Sequence, residues 1–260
     1  MVVSPHRDDE TIGCGGTICA HTERGDHGAV VHICGEGGAS LAEARSAAGI
    51  LGVSEISTLS CRVGQPTPTR ELLLELVMAF RQHRPQIVYV PHEADADPTH
   101  KLTSALVREA RWLAGHPALP EAGEPAEGFA PIVYEFEVWT PLARPTAFVD
   151  ISRHVERKAA ALNCCPSRMG INEWSEGALG LARYRGVTSG QGDHVEAFAV
   201  VGAPPCVVSA SAPRAQTRSS HLSRRGRGRW PYRTVLRGGQ ADAPRAAHAR
   251  GGEEGAQGDR

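Results

Sequence analysis

The chain has 260 residues, of which 41% are hydrophobic, and its formal net charge at pH 7 is −1. This length allows one α/β domain with a sizeable core, and no run of eighteen apolar residues predicts a transmembrane helix. No basic region followed by an apolar stretch predicts a signal peptide, and the seven cysteines are odd in number and lack C-x-x-C spacing. We therefore expect reduced thiols in a cytoplasmic protein, which argues against disulfide-stabilised and membrane-inserted classes.

The first predicted element is a stub of a buried β-strand over residues 1–3, and we expect this strand to be truncated at its start. His6 and three carboxylates, those of Asp8, Asp9 and Glu10, follow it at once. Ligands bind at strand ends in open α/β sheets, and these carboxylates would repel one another without a partner. We interpret the segment as half of a metal site, in which His6 and one aspartate bind the ion and the adjacent aspartate handles a proton. Helix capping by the acidic run is the alternative.

Strands and helices alternate along the next segment. We predict a helix over 15–23, a strand over 28–34, a turn over 35–38, a helix over 41–51, a strand over 55–61, an amphipathic helix over 69–82 and a strand over 84–91. This alternation indicates a Rossmann-like, doubly wound α/β fold with a mostly parallel sheet and helices on both faces. Gly13, Gly15 and Gly16 also suggest a dinucleotide-binding turn, but the preceding carboxylates would repel phosphate. We favour glycines that let the first helix approach the metal loop closely.

A second cluster of histidine and aspartate, over residues 92–100, follows the strand at 84–91. Two strand ends that each carry His and Asp can face one cavity. His6, Asp9 and His100 would then supply two imidazoles and one carboxylate and leave a position open, a common arrangement for catalytic Zn²⁺. The same ligands accept Fe²⁺.

The remaining elements complete one predicted domain over residues 1–203. A segment rich in Pro, Gly, Glu and Ala over 115–131 is expected to be a mobile loop near the substrate. Strands are predicted over 132–138 and 147–151, a helix over 153–162 and a last strand over 195–201.

The segment 204–260 differs in kind from the rest of the chain. After Cys206 it contains eleven arginines and only four acidic residues, and it shows no apolar period. We predict a disordered tail that buries no core. An RNA-binding arm is an alternative, because Arg-Gly runs with aromatic residues bind single strands, and out-of-frame translation of a GC-rich gene is another.

The opening segment 5–16 resembles the first motif of the LmbE-like, or PIG-L, zinc-dependent N-deacetylases. Further segments resemble the same family in order and spacing. They are residues 47–53, 84–92, 134–142, 145–146, 149–151, Lys158, 183–186 and 196–198. The resemblance covers approximately residues 1–200.

The resemblance implies a role for each matched residue. His6, Asp9 and His100 correspond to the metal ligands, and Asp8 corresponds to the general base. The implied activity is hydrolysis that removes an N-acyl group, chiefly acetyl, from a small amino sugar or a glycoconjugate.

Four positions depart from the family pattern. Arg7 stands where many members have Pro, Asp97 where many have His, Thr99 where many have Asp, and Ser40 where many have Arg. We expect Asp97 to orient the ring of His100 from behind the metal, or to contact substrate. The alternative is a catalytically impaired relative that binds metal or sugar without efficient turnover.

Overall fold

A computed structural model describes residues 1–35, 39–61, 67–166 and 173–201. Most of the turn predicted at 35–38 lies outside these residues, and so does the whole segment 204–260. The predictions of a disordered tail and of a domain end near residue 203 stay predictions.

Seven strands of the described residues form one sheet. They are β1 (Val2–Ser4), β2 (Ala29–Cys34), β3 (Glu55–Cys61), β4 (Ile87–Pro91), β5 (Ile132–Phe136), β6 (Ala147–Asp150) and β7 (Val195–Val201). Their order across the sheet is β3-β2-β1-β4-β5-β7-β6. The first five strands run parallel to one another, and β7 is antiparallel to both β5 and β6. The predicted doubly wound, mostly parallel fold is confirmed.

Six α-helices in the described part connect these strands. They are α1 (Asp9–Glu23), α2 (Leu41–Leu51), α3 (Arg70–His83), α4 (Pro98–Ala114), α5 (Val155–Leu162) and α6 (Trp174–Ser189). Helix α6 was not predicted, because its buried face consists of the small residues Ala178, Ala182 and Gly186 rather than a large apolar stripe. None of the described helices is both long and apolar enough to cross a membrane.

Each face of the sheet has its own hydrophobic core, as the alternation of side chains along a strand requires. Val2 packs in the core that α1, α2, α5 and α6 cover, whereas Val3 packs in the core under α3 and α4. Leu76 and Phe80 of α3 are fully buried in the second core. Helices therefore cover both faces of the sheet.

The predicted place of the loop over 115–131, near the substrate, is wrong, and its predicted mobility stays a prediction. The segment joins the end of α4 to the start of β5, where the Ile132 amide donates to the Gln86 carbonyl oxygen at the start of the neighbouring strand. This is the sheet edge opposite the His6 end of β1. A short 3₁₀ helix, Pro120–Ala122, lies within the segment. The buried Arg81 guanidinium donates to the carbonyl oxygens of Leu119 (2.8 Å) and Gly123, so side-chain hydrogen bonds hold the loop.

Two glycines let α1 approach the sheet closely, and the nearest atoms belong to the end of β5 and the residue after β6 rather than to the metal loop as predicted. A Cβ atom on Gly13 would collide with the Phe136 ring, and one on Gly16 would lie 2.6 Å from Cβ of Ile151. Ile151 follows β6 and is fully buried, so this neighbour cannot move aside easily.

Helix α1 is kinked at Cys14, and a buried ion pair satisfies the backbone groups at the kink. Lys158 Nζ donates to the Ile12 carbonyl oxygen (2.7 Å) and to Glu196 (2.6 Å). Glu196 in turn accepts hydrogen bonds from the backbone amides of Gly16 (2.9 Å) and Thr17 (2.7 Å). This pair ties the N-terminal half of α1 to α5 and β7.

Substituting Gly16→Ala tests the close approach of α1. We expect the free energy of unfolding to fall by about 1–3 kcal/mol, the usual cost of overpacking a core. Gly49→Ala is the matched control, since Gly49 is also helical and a Cβ there would meet no atom within 4 Å. The control should be neutral or stabilising by up to about 1 kcal/mol. Equal effects of the two substitutions in urea denaturation would contradict the packing argument.

Candidate metal centre

The ends of β1 and β4 lie side by side at the centre of the sheet. The chain moves outward from β1 to β2 and β3 in one direction, and from β4 to β5 in the other. Such a switch point is where open α/β sheets bind ligands. His6 follows β1, and His100 lies in the first turn of α4, just after β4. The topology thus brings together the two strand-end clusters that the sequence predicted to share a cavity.

The carboxylate of Asp9 lies between the two imidazoles. Its Oδ2 atom is 3.1 Å from Nδ1 of His6 and 3.2 Å from Nε2 of His100. The candidate ligand atoms of all three side chains lie within 4.8 Å of one another, and all three residues are buried. His6, Asp9 and His100 therefore converge at one point inside the protein.

The pKa shifts follow from this enclosure. Burial disfavours a charged imidazole, but the Asp9 carboxylate outweighs it and raises the pKa of His6 above its usual value. For His100, burial is likewise outweighed by Asp9 and Asp95, and its pKa rises to about 10. Burial also opposes ionisation of Asp9, yet the imidazoles hold its pKa well below its usual range. The pocket therefore favours positive charge around one carboxylate.

Two imidazole nitrogens and one carboxylate oxygen at a buried point fit a divalent ion of the zinc class. Such an ion would supply positive charge beside the Asp9 carboxylate, and both imidazoles would bind it in their neutral form. The arrangement of donors thus fits the predicted ligand set His6, Asp9 and His100.

Neighbouring carboxylates of the opening motif point to different partners. Glu10 accepts a hydrogen bond from Ser4 Oγ (2.9 Å) and lies 3.4 Å from Nε2 of the buried His32. The single hydrogen of the Ser4 hydroxyl is shared with the carbonyl oxygen of His6, which lies 2.7 Å from Ser4 Oγ. Glu10 therefore supports the loop that carries His6, and is not part of the ligand cluster.

Asp8 occupies the N-cap position of α1, but its side chain makes no capping hydrogen bond there. The capping interpretation of the acidic run therefore does not describe Asp8. The residue is buried directly beside Asp9 in the chain. Its assignment as general base stays a prediction.

The carboxylate behind His100 belongs to Asp95, not to Asp97 as expected. Asp95 Oδ1 lies 3.3 Å from His100 Nδ1, on the side of the ring opposite Asp9. Asp95 Oδ2 accepts hydrogen bonds from the backbone amides of Trp139 (3.0 Å) and Thr140 (3.2 Å). A fully buried carboxylate held by two amides can fix both the orientation and the tautomer of the His100 ring.

Asp97 is instead the N-cap of α4. Its Oδ1 atom accepts a hydrogen bond from the Thr99 amide at 2.6 Å, and Pro98 occupies the first helical turn. This is the usual chemistry of a helix start, so the expected contact with the His100 ring is not made. The Asp97 charge still raises the pKa of His6, although less than the contact with Asp9 does.

Comparison with known proteins agrees with this geometry. Residues 1–111 match a family profile described as PIG-L, GlcNAc-PI de-N-acetylase. The chain is 31% identical over 191 residues to the diacetylchitobiose deacetylase of Thermococcus kodakarensis, covering 67% of this chain and 71% of the relative. The chain belongs to the PIG-L family. The resemblance stated from the sequence is confirmed.

The chain is also similar to two other proteins. The 4-oxalmesaconate hydratase of Pseudomonas putida is 32% identical over 195 residues, which cover 63% of this chain and 71% of the relative. The crystal structure of the conserved protein TT1542 from Thermus thermophilus superposes with a TM-score of 0.69 at 30% identity. That match covers 83% of this chain and 98% of the other.

Two departures from the usual PIG-L pattern have local structural roles here. Ser40 is the N-cap of α2 and forms a reciprocal capping box with Glu43. Arg7 extends away from the ligand cluster, and its guanidinium lies 3.4 Å from Thr58 Oγ1 on β3.

Substitutions at Asp95 and Asp97 test which of the two aspartates orients the His100 ring. Asp95→Asn removes the charge behind His100 and should weaken zinc affinity by about 10-fold to 100-fold, the usual effect of losing such a partner. Asp97→Asn keeps a good N-cap side chain and should change the affinity by less than about threefold. Zinc titration against a competing chelator measures both. A larger loss of zinc affinity in Asp97→Asn than in Asp95→Asn would indicate that Asp97, as predicted from the sequence, orients His100.

Proposed function

We propose that this protein is a metal-dependent hydrolase that removes an N-acetyl group from a small amino sugar or glycoconjugate. The observation that carries the proposal is the buried cluster of His6, Asp9 and His100 at the switch point, with Asp8 adjacent, in a PIG-L chain. Relatives named as deacetylases support the N-acetyl substrate class. We propose Zn²⁺ as the ion, with Fe²⁺ as the alternative that the same ligands accept.

The three ligands would hold the ion, which when bound supplies Lewis-acid polarisation of the amide carbonyl. Asp8 accepts a proton from the attacking water as its oxygen bonds to the carbonyl carbon. The carbon–nitrogen bond then breaks, and Asp8 returns the proton to the leaving nitrogen. The products are acetic acid and an amine, and transfer of the acid's remaining proton to the amine gives acetate and an ammonium group at neutral pH. Asp8 ends in its starting ionised state.

The surroundings of the site suit this role. Asp8, Asp9 and Asp95 are all buried, so protein groups rather than bulk water set the charge around the reacting amide. Asp95 holds His100 through its ring, and Glu10 with Ser4 holds the loop that carries His6. The chemistry needs no organic cofactor.

A second candidate function is hydration of an unsaturated acid, because one relative is named 4-oxalmesaconate hydratase. The same proton acceptor beside a Lewis acid can serve addition of water to a carbon–carbon double bond. A catalytically impaired relative remains the other alternative. One assay set covers all three, with release of amine from N-acetyl amino sugars in one arm and loss of ultraviolet absorbance of a conjugated unsaturated acid in the other.

The compartment is part of the proposal. The six described cysteines are thiols rather than disulfides, which accords with a reducing cytoplasm.

Asp8→Asn tests the assignment of the general base. With zinc added, the wild-type protein should release primary amine from N-acetylglucosamine or diacetylchitobiose. Asp8→Asn should lower kcat by about 10² or more while its zinc content stays at the wild-type level. Amine detection together with metal analysis of the same samples separates chemistry from binding. Zinc loss in Asp8→Asn but not in Asp9→Asn would mean that Asp8 is the metal ligand and Asp9 the general base. Absence of amine release from every substrate would contradict the proposed reaction.

Two tryptophans at the site edge of the sheet offer a surface for the sugar. The Trp139 ring is 44% exposed and packs edge-on against Trp174, with ring centroids 4.6 Å apart. The backbone amide of Trp139 donates to Asp95, so this loop is joined directly to the support of His100. Large, flat apolar side chains with little conformational freedom are suited to bind the apolar face of a sugar ring.

Trp139→Ala should therefore weaken substrate binding without changing the chemistry. We expect KM to rise about tenfold with kcat nearly unchanged, because the contact stabilises substrate and transition state equally. Trp112→Ala is the matched control, since Trp112 is also exposed but lies near the far end of α4. A fall in kcat at constant KM, or the same rise of KM in both variants, would refute a sugar contact at Trp139.

A further inference from the structure

A second group of metal-ligating side chains lies at the opposite edge of the sheet. His27 precedes β2, Glu55 is the first residue of β3, and His83 is the last residue of α3. Their candidate ligand atoms all lie within 4.8 Å of one another. The three residues are far apart in the sequence, since β2 and α2 lie between His27 and Glu55, and most of β3 and α3 lie between Glu55 and His83. Only the folded sheet brings them together.

The geometry centres on the Glu55 carboxylate. Its Oε1 atom lies 3.2 Å from His27 Nε2, and its Oε2 atom lies 3.5 Å from His83 Nδ1. One carboxylate between two imidazoles is the same donor set as in the His6, Asp9 and His100 cluster. The difference is exposure, because the side chains of His27 and Glu55 are 63% and 50% accessible.

We propose that His27, Glu55 and His83 form a second binding site for a divalent transition metal of the Zn²⁺ or Ni²⁺ class. Imidazole nitrogens select such ions over Mg²⁺ and Ca²⁺, which prefer oxygen ligands. Water would complete the coordination at this exposed position. Because solvent competes for the ligands, the site binds its ion more weakly than the buried cluster does.

The site is separate from the catalytic cluster. The parallel register places Glu55 opposite Ala29, at the start of β2, whereas the His6 loop lies beyond the other end of that strand. Six strand residues span on the order of 15–20 Å, so one ion cannot serve both places. The proposal therefore does not depend on the proposed deacetylase activity.

A metal here would connect the edge of the sheet to the helix layer. Strand β3 is the last strand of the sheet and pairs only with β2 among the described strands. An ion bound by Glu55 and His83 would join the start of this edge strand to the end of α3. Since such an ion binds the folded state and not the dispersed ligands of the unfolded chain, it would stabilise the fold in proportion to its free concentration.

Zinc binding to the untagged full chain tests the proposal. We expect two classes of site by equilibrium dialysis with metal analysis, a tight one and a weaker one. His100→Ala should remove the tight class alone. His27→Ala should weaken the second class by about tenfold or more and leave the first intact. His116→Ala is the matched control, because His116 is an exposed histidine that stacks on Trp112, outside both clusters.

A thermal measurement gives an independent readout. In the His100→Ala background, Ni²⁺ should raise the midpoint of thermal unfolding, and adding His27→Ala should abolish that rise. Ca²⁺ should have no effect in either protein. Glu55→Gln keeps the shape of the side chain and removes its charge. It should therefore reproduce the effect of His27→Ala. A single class of site in the wild-type chain, or a second class that survives His27→Ala and Glu55→Gln, would overturn the proposal.

Discussion

The buried carboxylate of Asp9 is the constraint on which the rest of the site depends. An ionised carboxylate away from solvent needs positive charge close by, and here two imidazoles from different strand ends supply it. His6 arrives from β1 and His100 from α4, so the cluster forms only where these two elements are adjacent. The parallel register of β1 and β4 and the position of Asp9 in the first turn of α1 therefore have to be maintained together.

Much of the surrounding structure fixes the N-terminal half of α1. Gly13 and Gly16 let the helix lie against Phe136 and Ile151, and the kink at Cys14 leaves backbone groups that the helix itself does not satisfy. The Lys158–Glu196 pair bonds to those groups from α5 and β7. A buried ion pair of this kind adds little net stability compared with apolar side chains, but losing one partner would leave an unpaired charge in the core. The Lys158–Glu196 pair therefore holds in place the helix that carries Asp9.

The sequence was sufficient for the outline of this site. A histidine and several carboxylates directly after each of two apolar strands predicted the convergence of His6, Asp9 and His100, since parallel strands end at a common edge. The assignment of the supporting aspartate failed because spacing alone does not say which carboxylate the helix start will use. Asp97 directly before Pro98 is a recognisable N-cap, and that signal would have directed attention to Asp95 instead.

Other features were beyond local sequence patterns. The segment 115–131 is rich in Pro and Gly, but its composition does not show where it lies. A connection from a helix to the next parallel strand lies where the strands begin, opposite the side at which ligands bind. Helix α6 escaped prediction because it packs through small residues. The cluster of His27, Glu55 and His83 comes from three separated segments and is recognisable only once β2, β3 and α3 are assembled.

The most direct test of the metal centre is a crystal structure of the zinc-loaded protein with anomalous diffraction recorded at the zinc edge. The account predicts a strong anomalous peak bonded to His6, Asp9 and His100 at about 2.0–2.2 Å, with Asp95 still against the far side of the His100 ring. A strong peak elsewhere with none between these three residues, or a peak bonded to Asp8 in place of Asp9, would contradict it.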